Sequence, residues 1–392
     1  MAFEPLAADF YGFENELTDQ EKDAIAHLRA YLETEVKPIV NEYWERAEFP
    51  KQVIPELHRL GVAAFAWDET KPFPNSAVFR GFVALELARI DASVATYVGV
   101  QNGLAAGSLS ACGSQEQREE WLPKLASGEI IGAFGLTEPL SGSDSAQGLR
   151  TTAERDGDEW VINGSKRWIG NATFSDITII WAKDVADGQV KGFIVPTETA
   201  GYHATKIEGK QALRAVQNAD ITLENVRVPE SLRLQNANSF RDTARVLRAT
   251  RAEVAWAAVG VAVGAYEAAV KYAGERIQFG KPIAAHQLVQ DMLAGSLANI
   301  TSSLALVVQV SRMLDAGTQR DEHSALAKAF TTARMRETVG WAREILGGNG
   351  IVLEYDVARF FSDAEALYSY EGTQEMNTLI VGRAITGVAA FV

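Results

Sequence analysis

Tyr370-Glu371-Gly372-Thr373-Gln374-Glu375-Met376, running on through Asn377 to Gly387 (NTLIVGRAITG), is the stretch on which the reading of this chain turns. An acid stands on a Gly-Thr turn, and Met376, Leu379, Ile380 and Ala384 follow at helical spacing. The carboxylate is therefore expected just ahead of a helix whose other face is buried. Leu367, Tyr368 and Tyr370 are expected to surround Glu371 with little water, and desolvation lifts a carboxyl toward the range in which a general base works near neutrality. The plainer reading is an ordinary helix start, with Thr373 as N-cap and an acid complementing the dipole. Taken alone, the segment favours that plainer reading.

Length and composition set the frame. A chain of 392 residues exceeds the size at which one core keeps growing, so two or three domains are expected. Its 47% hydrophobic and 22% charged residues are ordinary for a soluble globular protein. The net charge of −14 speaks against nonspecific nucleic-acid binding, so any phosphate must be held by local arginines and amides. The single cysteine, Cys112, rules out an intrachain disulfide. His27, His58, His203, His286 and His323 are scattered, no cluster has metal-ligand spacing, and no metal is expected. The acidic N-terminus shows neither signal nor transit peptide, so a cytoplasmic location is expected. Val254 to Val270 is nearly uncharged, but it holds Glu267 and falls short of the roughly 20 residues a spanning helix needs. It reads as a helix buried in a bundle, with no membrane insertion.

The texture of the chain changes twice. Thr18 reads as an N-cap for a helix reaching about Trp44, and further helical runs cover Val53 to Leu60, Ala77 to Ile90, Tyr97 to Cys112 and Gln115 to Leu125. After Gly128, Ile130 to Leu136, Arg150 to Arg155, Trp160 to Ile162, Lys166 to Ile169, Ile177 to Ala182, Lys191 to Val195 and Ala219 to Leu223 read as strands. Asp156-Gly157, Asn163-Gly164 and Asp187-Gly188 read as hairpin turns. From about Ser239 the pattern is helical again; Leu293, Leu297, Ile300, Leu304, Val307 and Leu314 form an apolar stripe ended by Gly317. A second long helix runs from about Asp321 into Leu346. The expected architecture is a multidomain α+β chain, with an all-α domain (1–128), an antiparallel β-domain (129–237) and a C-terminal four-helix-bundle-like domain (238–392).

Four further motifs stand beside the C-terminal one: FGLTEPLSGSD from Phe134, KRWIGN from Lys166, RIQFGKPI from Arg276 and EILGGNG from Glu344. Singly each is modest; SGS is an ordinary surface turn, and GGNG follows a helix and lacks the strand-turn-helix setting of a dinucleotide fingerprint. Together, in order and spacing, they resemble the acyl-CoA dehydrogenase family, and within it the glutaryl-CoA dehydrogenase branch, over nearly the whole chain.

The resemblance implies FAD clasped between the β-domain and the last helical domain. By that likeness Phe134, Leu136 and Thr137 line the isoalloxazine, Gly142 and Ser143 lie near its phosphates and the bound thioester, and Trp168 and Ile169 cover the other side of the ring. Many relatives have Thr or Ser where this chain has Gly170, which leaves only a backbone amide for flavin N5. Arg276, Gln278 and Phe279 are implied to reach the flavin of a neighbouring subunit, as is the turn Glu344-Ile345-Leu346-Gly347-Gly348, where many relatives carry Gln in place of Glu344. Gln287, Thr373, Glu375 and Phe391 match further flavin contacts. Arg248 and Arg251, three apart and so on one helix face, suit coenzyme A; Arg245 is equally well read as a solvated cation. Ala95, Thr96, Ser143, Tyr370 and Gly372 match substrate-contact positions. A homotetramer and an electron-transfer flavoprotein as acceptor are implied as well.

Glu371 is then the base that removes the α-proton while the β-hydrogen leaves as hydride to the flavin. Some relatives carry the base one residue before the coenzyme-binding arginine; Thr250 stands there, so Glu371 is the only candidate in place. Glutaryl-CoA dehydrogenases hold the distal carboxylate with an arginine where this chain has Ala95, and a buried carboxylate without a cation is costly. The expected substrate is therefore a short, uncharged acyl-CoA. Three readings stay open beside it: an acyl-CoA oxidase, which Gly170 and KRWIGN suggest, a flavin monooxygenase or nitroalkane oxidase on the same scaffold, and a nonenzymatic flavoprotein. A decarboxylating glutaryl-CoA dehydrogenase is the alternative within the branch.

Overall fold

The protein is described by a computed structural model covering residues 3–390. Thr18 caps α1 (Asp19–Tyr31) in a reciprocal box: its hydroxyl accepts from the Glu21 amide while the Glu21 carboxylate accepts from the Thr18 amide. The helix continues through a π-helical turn into α2 (Lys37–Arg46), so one helical run spans the expected segment. α3 (Ile54–Arg59) and α4 (Ala77–Ile90), buried at every residue but Arg80, follow. α5 (Ala92–Val98), a π-helical stretch (Gly99–Ala106) and α6 (Gly107–Cys112) form one continuous run, and α7 (Gln115–Ser127) closes the first helical domain.

β1 (Gly132–Gly135), a short α8 (Ser145–Gly148), β2 (Thr152–Asp156), β3 (Glu159–Ile169), β4 (Ile177–Asp184), β5 (Val190–Pro196), β6 (Tyr202–Lys206) and β7 (Ala219–Pro229) make the middle domain. The sheet runs β1-β4-β2-β3-β7-β6, with β5 on the other edge of β4. It is mixed rather than purely antiparallel, because β1 and β2 both lie parallel to β4. Asp156-Gly157 does turn β2 into β3, and Asp187-Gly188 lies in the β4–β5 connection. Asn163-Gly164 is not a turn. It is a bulge inside β3, which pairs on both sides of it with β7. A Cβ on Gly164 would stand 2.5 Å from the Thr151 hydroxyl, so glycine serves close approach there, not chain reversal. β6 escaped the sequence reading because it is an edge strand with only Tyr202 buried.

The last domain comprises α9 (Phe240–Glu275), the small hairpin β8 (Ile277–Gln278) and β9 (Lys281–Pro282), α10 (Gln287–Asp315), α11 (Asp321–Ile345), α12 (Val357–Ser369) and α13 (Gln374–Thr386). Gly317, at φ 66°, terminates α10 as expected. α9 and α10 are both long and apolar enough to cross a membrane by length and composition, yet 72% of the apolar window of α9 is buried within the protein. The reason is backbone-close packing on α4. Cβ atoms on Gly260 and Gly264 would stand 2.3 and 2.2 Å from the Leu85 and Arg89 carbonyls, and Gly81 lies under Trp256.

One hydrophobic core therefore runs from α1 through α12, joining the first and last helical domains, while the sheet keeps its own core and a seam against α6 and α7. A buried ion pair, Arg359 to Asp91 at 2.8 Å, crosses the same junction. α13 departs from expectation. Asn377 is its only fully buried side chain, and beyond Ile380 the helix overhangs, leaving Ile385 79% exposed.

Candidate active site

Glu371 sits in the turn between α12 and α13 with φ 53°, followed by Gly372 at φ 87°. Two successive left-handed residues reverse the chain within one step, and only glycine adopts the second without strain. Three side chains hold the turn. Thr373 caps α13 through the Met376 amide, Asn377 donates to the Gly372 and Thr373 carbonyls, and the buried Lys328 of α11 donates to the Tyr368 and Gly372 carbonyls at 2.8 and 2.7 Å. Lys328 was not found in the sequence reading, because its partners are backbone carbonyls that no motif records.

The Glu371 carboxylate accepts a hydrogen bond from the Thr250 hydroxyl at 2.5 Å. Burial lifts its pKa above the ordinary glutamate value, while the Thr250 hydrogen bond and the charges of Arg251 and Lys328 pull it back. Its remaining accessible surface faces a cavity of about 740 Å³. Tyr370 lines that cavity too, but Tyr368 does not; it lies under the Arg336 guanidinium, at 4.3 Å.

The opposite wall is built by β1, β3 and the loop between β1 and β2. Lys166, buried on β3, donates to Glu138 at 2.8 Å and to the Leu136 and Trp181 carbonyls. Glu138 in turn accepts from the Arg150 and Thr151 amides, and the Arg167 amide donates to Thr137. The FGLTEPLSGSD and KRWIGN motifs are thus stapled to each other by a buried ion pair. A second irregularity in β3, with Trp168 at φ 65°, turns that indole out of the sheet so that it is 51% exposed. At Gly170 an added Cβ would stand 3.2 Å from a Val100 methyl, a tight contact on one side of a position that otherwise opens on the cavity.

Fifteen of the expected positions line this one cavity: Ala95, Thr96, Phe134, Leu136, Thr137, Gly142, Ser143, Trp168, Ile169, Gly170, Arg251, Tyr370, Glu371, Gly372 and Thr373. Arg248 does not; it is exposed, with its Nε 3.9 Å from Asp321, the residue that Arg251 pairs with at 2.7 Å. Arg276, Gln278, Phe279 and Gln287 stand on the exposed hairpin and the start of α10, away from the cavity. The Glu344–Gly348 turn also lies elsewhere, with Ile345 and Leu346 buried in the helical core and Glu344, Gly347 and Gly348 at the surface. Glu375 points to solvent, and Phe391 lies outside the described residues.

A second carboxylate, Glu253, was not singled out in the sequence reading. It too lines the cavity, one turn beyond Thr250 on α9. Its signal was an acid inside the Ala-rich run, masked because α9 reads as core.

Three family models cover almost the whole chain: the N-terminal, middle and C-terminal domains of acyl-CoA dehydrogenase match residues 18–129, 133–226 and 240–386. The chain belongs to the acyl-CoA dehydrogenase family. Among its relatives in the family, the 3-(aryl)acrylate reductase of Clostridium sporogenes is 33% identical over 93% of this chain and 98% of its own. The subunit of the caffeyl-CoA reductase–Etf complex of Acetobacterium woodii is 31% identical over 93% and 97%. Among solved structures, the glutaryl-CoA dehydrogenase of Mycobacterium smegmatis superposes with a TM-score of 0.94 at 37% identity, covering 99% of this chain and all of that one. A structure of a glutaryl-CoA dehydrogenase from the same organism, 35% identical with a TM-score of 0.94, is a complex with FADH2.

Proposed function

We propose that this acyl-CoA dehydrogenase oxidises a short acyl-CoA thioester to the 2-enoyl-CoA, with Glu371 as the base. The observation that carries the reading is a desolvated carboxylate on the wall of a mostly apolar cavity that an outward-turned Trp168 also lines. The residues of that wall fit FAD: Phe134, Leu136, Ile169 and Trp168 suit a planar heterocycle, and the Thr137 and Ser143 hydroxyls suit its polar edge. FAD bound there supplies the acceptor for the β-hydride.

Glu371 takes the α-proton, and Thr250 fixes the carboxylate oxygen that is not receiving it. Tyr370 shields the acid, and the backbone N–H of Glu371, set on its left-handed turn beside the cavity, is the donor proposed for the thioester oxygen, where negative charge grows. Arg251, whose Nε has no partner among the described residues, lines the cavity and is proposed to hold the coenzyme A moiety. Ala95 offers no cation to a distal carboxylate, which favours an acyl chain without one over glutaryl-CoA.

We also propose an electron-transfer flavoprotein as partner, which the Etf-associated relative supports, and a cytoplasmic homotetramer in which the exposed Arg276–Phe279 hairpin serves a neighbouring subunit's cofactor. Two relatives named as reductases favour a second reading, in which the same site adds hydrogen to an enoyl-CoA; microscopic reversibility allows both, and the electron partner sets the direction. The oxidase reading rests on Gly170 and KRWIGN, and Val100, 3.2 Å from where a Cβ on Gly170 would stand, narrows the space beside that position. The test is the absorption spectrum of the purified holoprotein. Bleaching of the flavin band by butyryl-CoA and little by glutaryl-CoA is expected; a clear preference for glutaryl-CoA refutes the inference from Ala95, and peroxide formation without an added acceptor supports the oxidase.

A further inference from the structure

Glu253 is an acid that proton abstraction does not use. It lies three residues beyond Thr250, hence on the same face of α9, and its carboxyl fills the space left by two missing side chains on the facing helical run. A Cβ on Gly103 would stand 2.7 Å from one of its oxygens and a Cβ on Gly99 3.7 Å from the other. Apolar side chains, among them Val100, Leu104, Val254 and Ala257, line the same cavity.

Among the described residues no cation pairs with it. Arg251 turns to Asp321, Lys328 is committed to two carbonyls, and Lys210 is committed to the Leu213 and Val216 carbonyls and the Asn218 amide oxygen. The charge of the neighbouring Glu371 acts on Glu253, and it repels. A half-buried, desolvated carboxyl with neither cation nor donor among the described residues is costly, so a fold that keeps one facing a ligand cavity leaves its partner to the ligand.

We infer that Glu253 is the specificity residue for the far end of the acyl chain, and that it selects thioesters whose chain ends in a hydrogen-bond donor, a hydroxyl or an ammonium group. This rests on the dehydrogenase reading above and narrows its substrate. Burial and the neighbouring Glu371 push the Glu253 carboxyl up to about 7, so it accepts from an ammonium when ionised and exchanges hydrogen bonds with a hydroxyl in either form. A distal carboxylate meets repulsion there, in line with Ala95.

The test uses holoenzyme, an artificial electron acceptor and acyl-CoAs of equal chain length ending in methyl, hydroxyl, ammonium or carboxylate. A donor-ended thioester is expected to exceed the methyl-ended one in kcat/KM by about tenfold to a hundredfold, the worth of one charge-assisted hydrogen bond in a dry site. Whichever of hydroxyl and ammonium gains more names the donor, and the carboxylate-ended chain comes last. Glu253→Val is expected to erase that advantage and to gain on the methyl-ended chain. Glu253→Gln, which keeps shape and an acceptor, is expected to lose the ammonium preference and retain the hydroxyl one. In thermal shift, the donor-ended thioester is expected to raise the melting temperature of the parent more than that of Glu253→Val. Equal or better turnover of the methyl-ended chain by the parent, or an unchanged ratio in Glu253→Val, overturns the inference while leaving the dehydrogenase reading in place. If no thioester bleaches the flavin, both fall.

Discussion

Glu371 holds a left-handed backbone that costs an ordinary side chain about 1–2 kcal/mol, and the lysine and asparagine clamps around it are what make that conformation persist. Glu371→Gln keeps the size and removes the base. Its kcat is expected to fall about 10²–10⁴-fold with the flavin spectrum retained. Thr250→Val removes a hydrogen bond to the ionised carboxyl, so a pKa already raised by burial rises further. Because only the deprotonated form works, the acid limb of kcat/KM against pH should move to higher pH while the alkaline plateau stays; an unmoved limb contradicts the assignment.

Glu253 makes a stability prediction of its own. Its folded value of about 7 lies above the ordinary 4.5, so the folded form loses stability as pH rises through that window. The melting temperature of Glu253→Val should therefore exceed that of the parent by more at about pH 8 than at about pH 5.

At the scale of elements, the site depends on how closely α4 and α9 approach. The Gly264 face of α9 lies against the Arg89 carbonyl and the Phe360 ring, so Gly264→Ala forces the helices apart or bends one of them. A loss of about 1–3 kcal/mol is expected in urea unfolding. Since Ala95 and Thr96 follow directly on α4, KM should rise as well. An unchanged midpoint shows that the helices can slide at no cost. The same scale explains β3. Its two irregularities look like loop signals in sequence, Asn163-Gly164 above all, but both are departures within a paired strand, and the second is what presents Trp168 to the cavity.

The whole molecule leaves apolar surface uncovered where single-chain packing ends. Phe279 is 93% exposed on its hairpin, and Leu288 and Ile385 are each 79% exposed. Exposed patches of this kind mark interaction surfaces. Light scattering is expected to give the mass of four chains, and Phe279→Ser to lower both that mass and the cofactor content. Loss of cofactor without loss of mass would put the hairpin at the flavin but outside the subunit contact, and no change in either would remove it from both.

Sequence by itself determined the order of helical and strand segments, the capping of α1 and α13, and the motifs that converge on the cavity, because helix caps, turn glycines and apolar periodicity act over a few residues. It also determined that Glu371 leads its turn. What tertiary structure decided depends on distant partners: that the two helical domains share one core through the glycine face of α9, that β1 and β2 run parallel to β4, that Lys328 clamps the catalytic turn, and that Glu253 opens into the cavity. Each rests on contacts between residues far apart in the chain, and a side chain's surroundings, not its type, set whether a buried charge is answered.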